Sequence, residues 1–256
     1  MATRTTATTL SEVTESRFDG LANVNEVLKR AIRETFQYEF MTRVQQQSLP
    51  VCLTGEDVVA KARTGTGKTI SFLLPALQRM LEAGVRRGKI ATLILSPTRE
   101  LAKQIETEAK GLTSFCGDRI RVGCIVGGQG VPKRELAQLA QNPPTLLVAT
   151  PGRLQDHLEN GAGIMGGLLD QLSVLIFDEA DQLLDMGFRP TILRILGLLP
   201  PADRRQTLLF SATFPKSLED IARLSMRPNY RFVDTVGDVE KQTVQLVKQH
   251  INIHTM

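Results

Sequence analysis

Short apolar runs alternate with longer stretches of helical periodicity along most of this chain. Residues 57–60, 92–95, 121–126, 145–149, 172–177 and 206–210 read as strands. Most of these runs are apolar almost throughout, as expected of strands covered on both faces. Between them, 70–81, 101–113, 133–140, 154–160, 182–198 and 215–226 carry apolar residues at helical spacing, and 21–36 and 44–53 read as helical or mixed. The alternation predicts an α/β fold, a parallel β-sheet sandwiched between helices. Right-handed crossovers then put the C-terminal ends of the strands on one edge, where such folds hold their ligands. One domain over 18–240 is expected, with 1–17 a flexible leader and 241–256 the start of a linker, strand-like or extended at 244–253.

The residues at the strand ends carry the chemistry. After 57–60 comes Ala62-Arg63-Thr64-Gly65-Thr66-Gly67-Lys68-Thr69, followed by a helical pattern. Glycines let backbone N–H groups approach a phosphate, and a helix N-terminus adds partial positive charge. Lys68 is placed to reach β- and γ-phosphates, and the Thr69 hydroxyl to ligate Mg²⁺. The general P-loop pattern opens on Gly where this chain has Ala62. A Gly-rich turn with an incidental Lys is the plainer alternative.

The run 172–177 leads straight into Asp178-Glu179-Ala180-Asp181, 110 residues beyond Lys68. Carboxylates at the end of a buried strand are costly unless a cation meets them. Asp178 is expected to hold Mg²⁺, mainly through water, and Glu179 to orient and deprotonate an attacking water. An acidic first turn of a helix is the alternative here.

Together these strings resemble the DEAD-box family of RNA helicases over about 18–240, with the motifs in the family's order. The resemblance implies a RecA-like P-loop domain that binds ATP and Mg²⁺ and takes part in RNA-stimulated ATP hydrolysis and local duplex separation. It implies an adenine site in 38–45, with Gln45 reading the base edge and Tyr38 stacking, and Phe18 as a second stacking aromatic. Met41 and Gln37 stand where the family has Pro and Gly, and core packing is the alternative for Phe18 and Tyr38. It further implies an RNA-backbone grip by Pro97, Thr98 and Arg99, by Gly127 and Gly128, and by Thr150, Pro151, Gly152 and Arg153. Internal ion pairing is the alternative for Arg99 and Arg153. Ser211 and Thr213, with Asp181, are implied to couple the nucleotide to the RNA grip.

Nothing after Thr213 matches the family's second-domain motifs, so the resemblance implies a first half that works with a second RecA-like domain, as a monomer. The wording of the motifs overall, including Asp234-Thr235-Val236, is similar to that of the mitochondrial intron-splicing subgroup and its plant relatives.

Composition narrows the field only a little. The formal net charge of +4 and pI near 9.1 suit a polyanionic partner without specifying one. Three scattered cysteines without a CxxC pair argue against a disulfide framework or a zinc site. No apolar run reaches the ~18 residues of a membrane span, so no membrane association is expected. Residues 1–11 are Thr-rich with Arg4 and no acid, but Glu12 and Glu15 follow, so a frayed leader is preferred to an organelle transit segment. An intracellular location is expected, with a mitochondrial one among the options. A DNA-translocating relative and a non-enzymatic RNA-binding module are the competing functional classes. The adenine segment and Asp181 speak against the first, and the intact set Lys68, Thr69, Asp178 and Glu179 against the second.

Overall fold

The computed structural model describes residues 12–84, 88–128 and 132–237. Seven strands form one parallel sheet: β3 (Val58–Lys61), β4 (Thr92–Leu95), β5 (Val122–Ile125), β6 (Leu146–Ala149), β7 (Val174–Phe177), β8 (Gln206–Ser211) and β9 (Arg231–Asp234). Their spatial order is β5-β6-β4-β7-β8-β3-β9. The α/β, RecA-like expectation therefore holds.

Alternation along each strand feeds two separate cores. Ile94, Val148, Ile176, Leu208, Phe210 and Ala60 point to one face. There they meet α1 (Glu26–Glu34), α2 (Arg43–Leu53), α3 (Lys68–Ala83) and α4 (Arg99–Leu112). Leu93, Leu95, Leu147, Leu175, Phe177 and Leu209 point to the other. That face is covered by α5 (Pro132–Gln141), α6 (Pro151–Asn160), α7 (Ile164–Leu169), α8 (Ala180–Asp185), α9 (Arg189–Leu198) and α10 (Lys216–Ser225).

Several expectations need correction. Residues 13–17, expected in the leader, form β1 (Val13–Arg17), antiparallel to β2 (Phe40–Thr42). The single helix expected over 182–198 is two, α8 and α9, because Gly187 turns the chain at φ +79° and Pro190 lies in the first turn of α9. β9 was missed because its side chains are largely exposed, so it lacks the apolar run by which the other strands were found. The expected linker 241–256 lies outside the described residues.

The sheet's N-terminal edge is held by one buried carboxylate. The Asp57 side chain accepts from Thr207 N (2.9 Å), Arg227 N (2.7 Å) and Arg227 Nη2 (2.6 Å). Through it β3 is tied to the start of β8 and to the segment that enters β9. Removing one partner of a buried ion pair costs about 3–5 kcal/mol, because the other is left without compensation. Arg227 is partly exposed and water will recover some of that, so Asp57→Ala is expected to cost about 3 kcal/mol. Urea unfolding monitored by circular dichroism checks this, and a loss below 1 kcal/mol would contradict the assignment.

Candidate nucleotide site

Sheet order decides which loops meet. β8 lies between β3 and β7, so the P-loop, the acidic string and the Ser211–Thr213 segment emerge side by side. Ala62 N donates to Ser211 O (2.9 Å), continuing the β3–β8 pairing into the loop. Gly65 and Gly67 then take φ of +75° and +91°, which glycine adopts without strain. A Cβ at Gly67 would lie 2.6 Å from Gln45 Nε2, so a larger residue there would displace the Gln45 amide from the loop. Arg63, Thr64 and Gly65 are exposed on the loop's outer turn, and Thr66 is buried, its hydroxyl donating to Arg63 O (2.8 Å).

Lys68 is 5% exposed and its ammonium lies 3.3 Å from Glu179 Oε1. Glu179 takes a left-handed backbone conformation (φ +50°, ψ +51°) at the N-cap of α8, a strain of order 1–3 kcal/mol for a residue with a Cβ. Gln182 Nε2 donates to its other oxygen. Asp178, 3% exposed, closes β7, its N–H donating to Leu95 O (3.0 Å). Burial pushes its carboxyl up to about 7; Lys68 opposes that rise and Glu179 adds to it.

Asp181 faces the other way. Its Oδ2 accepts from Thr213 N (2.9 Å) and Thr213 Oγ1 (3.0 Å), and its own N–H donates to Ser211 Oγ (3.1 Å). Burial would raise its carboxyl, but the bonds from Ser211 and Thr213 outweigh it and hold the group below the usual range.

The adenine-site residues fall out differently. Tyr38 is half-exposed and opens on a cavity of about 540 Å³ that also contains Gln45, Gly65, Gly67, Lys68, Thr69, Asp178 and Glu179. Gln45 Oε1 accepts from Thr42 N (2.8 Å) and Nε2 donates to Gly67 O (3.0 Å), so much of its amide is engaged in joining α2 to the P-loop. Phe18 does not reach the cavity: at 2% exposure it packs in the core, and its expected stacking role is corrected accordingly. The second aromatic on the wall is Phe40, with Val13 of β1 beside it. Positions 38 and 40 share one side of an extended segment, and that period of two was the available signal. Gln104 and Glu108 of α4 also line the cavity and had been missed.

The expected RNA residues occupy the neighbouring half of the same edge, at the ends of β4, β5 and β6. Thr98 caps α4, accepting from Leu101 N (3.2 Å). Arg99 is exposed, its guanidinium so near Gly128 that a Cβ there would collide with it. Thr150 Oγ1 accepts from Gly127 N (3.3 Å). Gly152 is exposed, whereas Pro97 and Pro151 are buried and can only shape their turns. Arg153 is also turned inward: Nε donates to Val126 O (3.2 Å) and lies 3.4 Å from Glu135 Oε2, which meets His157 Nε2 at 2.6 Å. The internal alternative weighed for Arg153 is the one observed, so a direct phosphate contact by its side chain is corrected too.

Comparison with known proteins bears on this geometry. Residues 42–221 match the DEAD/DEAH box helicase family. The chain belongs to that family. It is 44% identical over 93% of its length to DEAD-box ATP-dependent RNA helicase 26 of Oryza sativa subsp. japonica, covering 43% of that protein. It is 43% identical, again over 93% of its length, to helicase 25 of the same plant, covering 40% of it. Against helicase 26 of Arabidopsis thaliana the identity is 41%, with 93% of this chain and 28% of that protein covered. The chain thus spans less than half the length of these curated relatives. The DEAD string that names the family is Asp178 to Asp181, and the family match begins at Thr42, after Tyr38 and Phe40.

Asp178 makes the site sensitive to pH in a defined direction. Between its ordinary value of 3.8 and about 7, the folded chain retains a proton that the unfolded chain has released. Stability contributed by this group is therefore present at low pH and lost as pH rises through about 7. Asp178→Asn abolishes the titration. Its melting temperature should exceed that of the wild type at pH 8, with the difference shrinking toward pH 4. A gap that does not change with pH would contradict the assignment.

Proposed function

We propose that this chain is the ATP-binding half of an ATP-dependent RNA helicase, one that needs a second RecA-like domain for turnover. The observation that carries the reading is the single cleft in which Lys68 lies 3.3 Å from Glu179 beside the buried Asp178, with Tyr38 and Phe40 on the wall of the same cavity. An apolar, aromatic wall suits a base, and a P-loop with its lysine suits a triphosphate.

The donor set fits Mg²⁺. The Thr69 hydroxyl and the Asp178 carboxylate are hard oxygen ligands, and a buried carboxylate held up near 7 lacks the cationic charge that a divalent ion would bring. When bound, Mg²⁺ neutralises charge on the phosphates. Lys68, already between a carboxylate and the loop, is placed to exchange Glu179 for a phosphate oxygen. Glu179, oriented by its backbone and by Gln182, then becomes the acceptor for the proton of an attacking water. Asp181 reports the state of this site to Ser211 and Thr213. The Gln45 amide retains one Nε2 hydrogen for the base, since a primary amide has two donors.

RNA is proposed to lie along Arg99, Gly128 and Gly152, the exposed parts of three adjacent loops. Such contacts grip the phosphate–sugar backbone, so binding should be salt-sensitive and nearly independent of sequence. Hydrolysis requires charge to be stabilised from several sides. An arginine finger contributes about 10³–10⁵ in rate, and the second domain is proposed to provide it.

The purified chain should bind ATP but show RNA-stimulated hydrolysis only after a second domain is joined or added. Brisk turnover by the chain alone would overturn the division of labour. In the joined enzyme, Glu179→Gln should keep ATP affinity within about twofold while reducing turnover by at least the 10²–10⁴ typical of general-base loss. Retained hydrolysis would remove Glu179 from the role of base.

A further inference from the structure

Glu108 lies in the nucleotide cavity, and neither the P-loop nor the acidic string accounts for it. It stands on α4, three turns from the strand edge at which the family motifs cluster. A carboxylate on the wall of a cavity already holding Asp178 and Glu179 calls for a task of its own. Its partners indicate what that task is. Gln104 Nε2, one turn earlier on the same helix, donates to Glu108 Oε1 at 3.0 Å. Thr69, in the first turn of α3, lines the same cavity, its hydroxyl near enough to the carboxyl to favour its charged form. All three residues line the cavity that contains Lys68, Asp178 and Glu179. Among the described residues no salt bridge to Glu108 is found, and its one hydrogen-bond donor there is Gln104. Burial raises its carboxyl, and the neighbouring Gln104 and Thr69 oppose that rise.

A threonine hydroxyl has one hydrogen and two lone pairs. To offer a lone pair to a cation it must direct its hydrogen elsewhere, and a fixed acceptor settles which way the oxygen faces. We propose that Glu108 is the positioning residue for Mg²⁺ at this site: it takes the Thr69 hydrogen and so turns the Thr69 oxygen toward the phosphate-bound ion. Gln104 fixes Glu108 in turn. Partners behind a metal ligand typically contribute 10–100-fold to metal affinity through this kind of orientation. The inference rests on the Mg²⁺–nucleotide reading above and names a residue that acts through Thr69 rather than on the nucleotide.

The test is nucleotide affinity of the whole chain, measured by fluorescence with labelled ADP across a Mg²⁺ titration and in EDTA. Glu108→Ala should need about 10–100-fold more Mg²⁺ to reach half of the Mg²⁺-dependent gain in affinity, with affinity in EDTA unchanged. Glu108→Gln keeps an acceptor oxygen and should recover most of the loss. In a Thr69→Ala background, Glu108→Ala should add nothing. Unchanged EDTA affinity also reports that the variant is folded. Equal loss with and without Mg²⁺ would mark Glu108 as a nucleoside contact or a structural residue and overturn the proposal. So would no loss, a gain, or full additivity with Thr69→Ala. A wild-type chain that shows no Mg²⁺-dependent affinity at all would instead remove the nucleotide reading itself, and the proposal with it.

Discussion

Charge buried at the end of one strand is the constraint on which the rest of the site depends. β7 is apolar until it delivers Asp178 and Glu179, both largely buried, to the wall of the cleft. Two adjacent carboxylates there repel each other and are poorly solvated, so the fold must bring positive charge to them. The ammonium of Lys68 is the cation the chain provides, and it arrives from another strand altogether. That fixes the spacing of β3 and β7, with one strand between them. One lysine does not compensate two carboxylates. The shortfall appears in Asp178, whose carboxyl stays near 7.

The strand in between leads to the two residues that bond Asp181. β8 pairs with both β3 and β7, and its end carries Ser211 toward Asp181. A displacement of the acidic turn would be felt directly by the backbone N–H of Thr213, because Asp181 bonds both that N–H and the Thr213 hydroxyl. The left-handed backbone of Glu179 lies within two residues of the same turn. Strain next to a tight hydrogen-bonded link is a physical basis for a discrete, two-position response to what occupies the cleft.

The sequence made some of these features plain and hid others, for identifiable reasons. Central strands were legible because burial on both faces forces runs such as Val174 to Phe177 to be apolar throughout. The edge strand β9 and the ribbon β1–β2 carry exposed side chains and lack that signature, so Val13 and Phe40 went unassigned. Motif residues whose backbone makes the turn, among them Gly65, Gly67 and Thr98, stand in turns at strand ends as the sequence suggests, because turn chemistry is local. Side-chain destinations were harder. For Phe18 and Arg153, whether a ring or a guanidinium turns inward depends on partners distant in sequence, such as Glu135 and the α1–α2 core. Gln45 shows the same limit in a milder form, since its amide is drawn to Thr42 and Gly67 by their proximity in space.

Glu108 marks the far end of that limit. On α4 it occupies a position that helical periodicity alone would assign to a solvated or half-buried face. Only the packing of α4 against α3 brings its carboxylate to Thr69. A proposed ligand such as Thr69 can be picked out from its place after Gly67 and Lys68, because the P-loop pattern has those residues consecutively. The residue that orients the ligand is under no such rule: any element passing within hydrogen-bond reach can carry it. The chemistry of the cleft is therefore written in the strand-end loops, while its precision is set by the helices that happen to pack behind them.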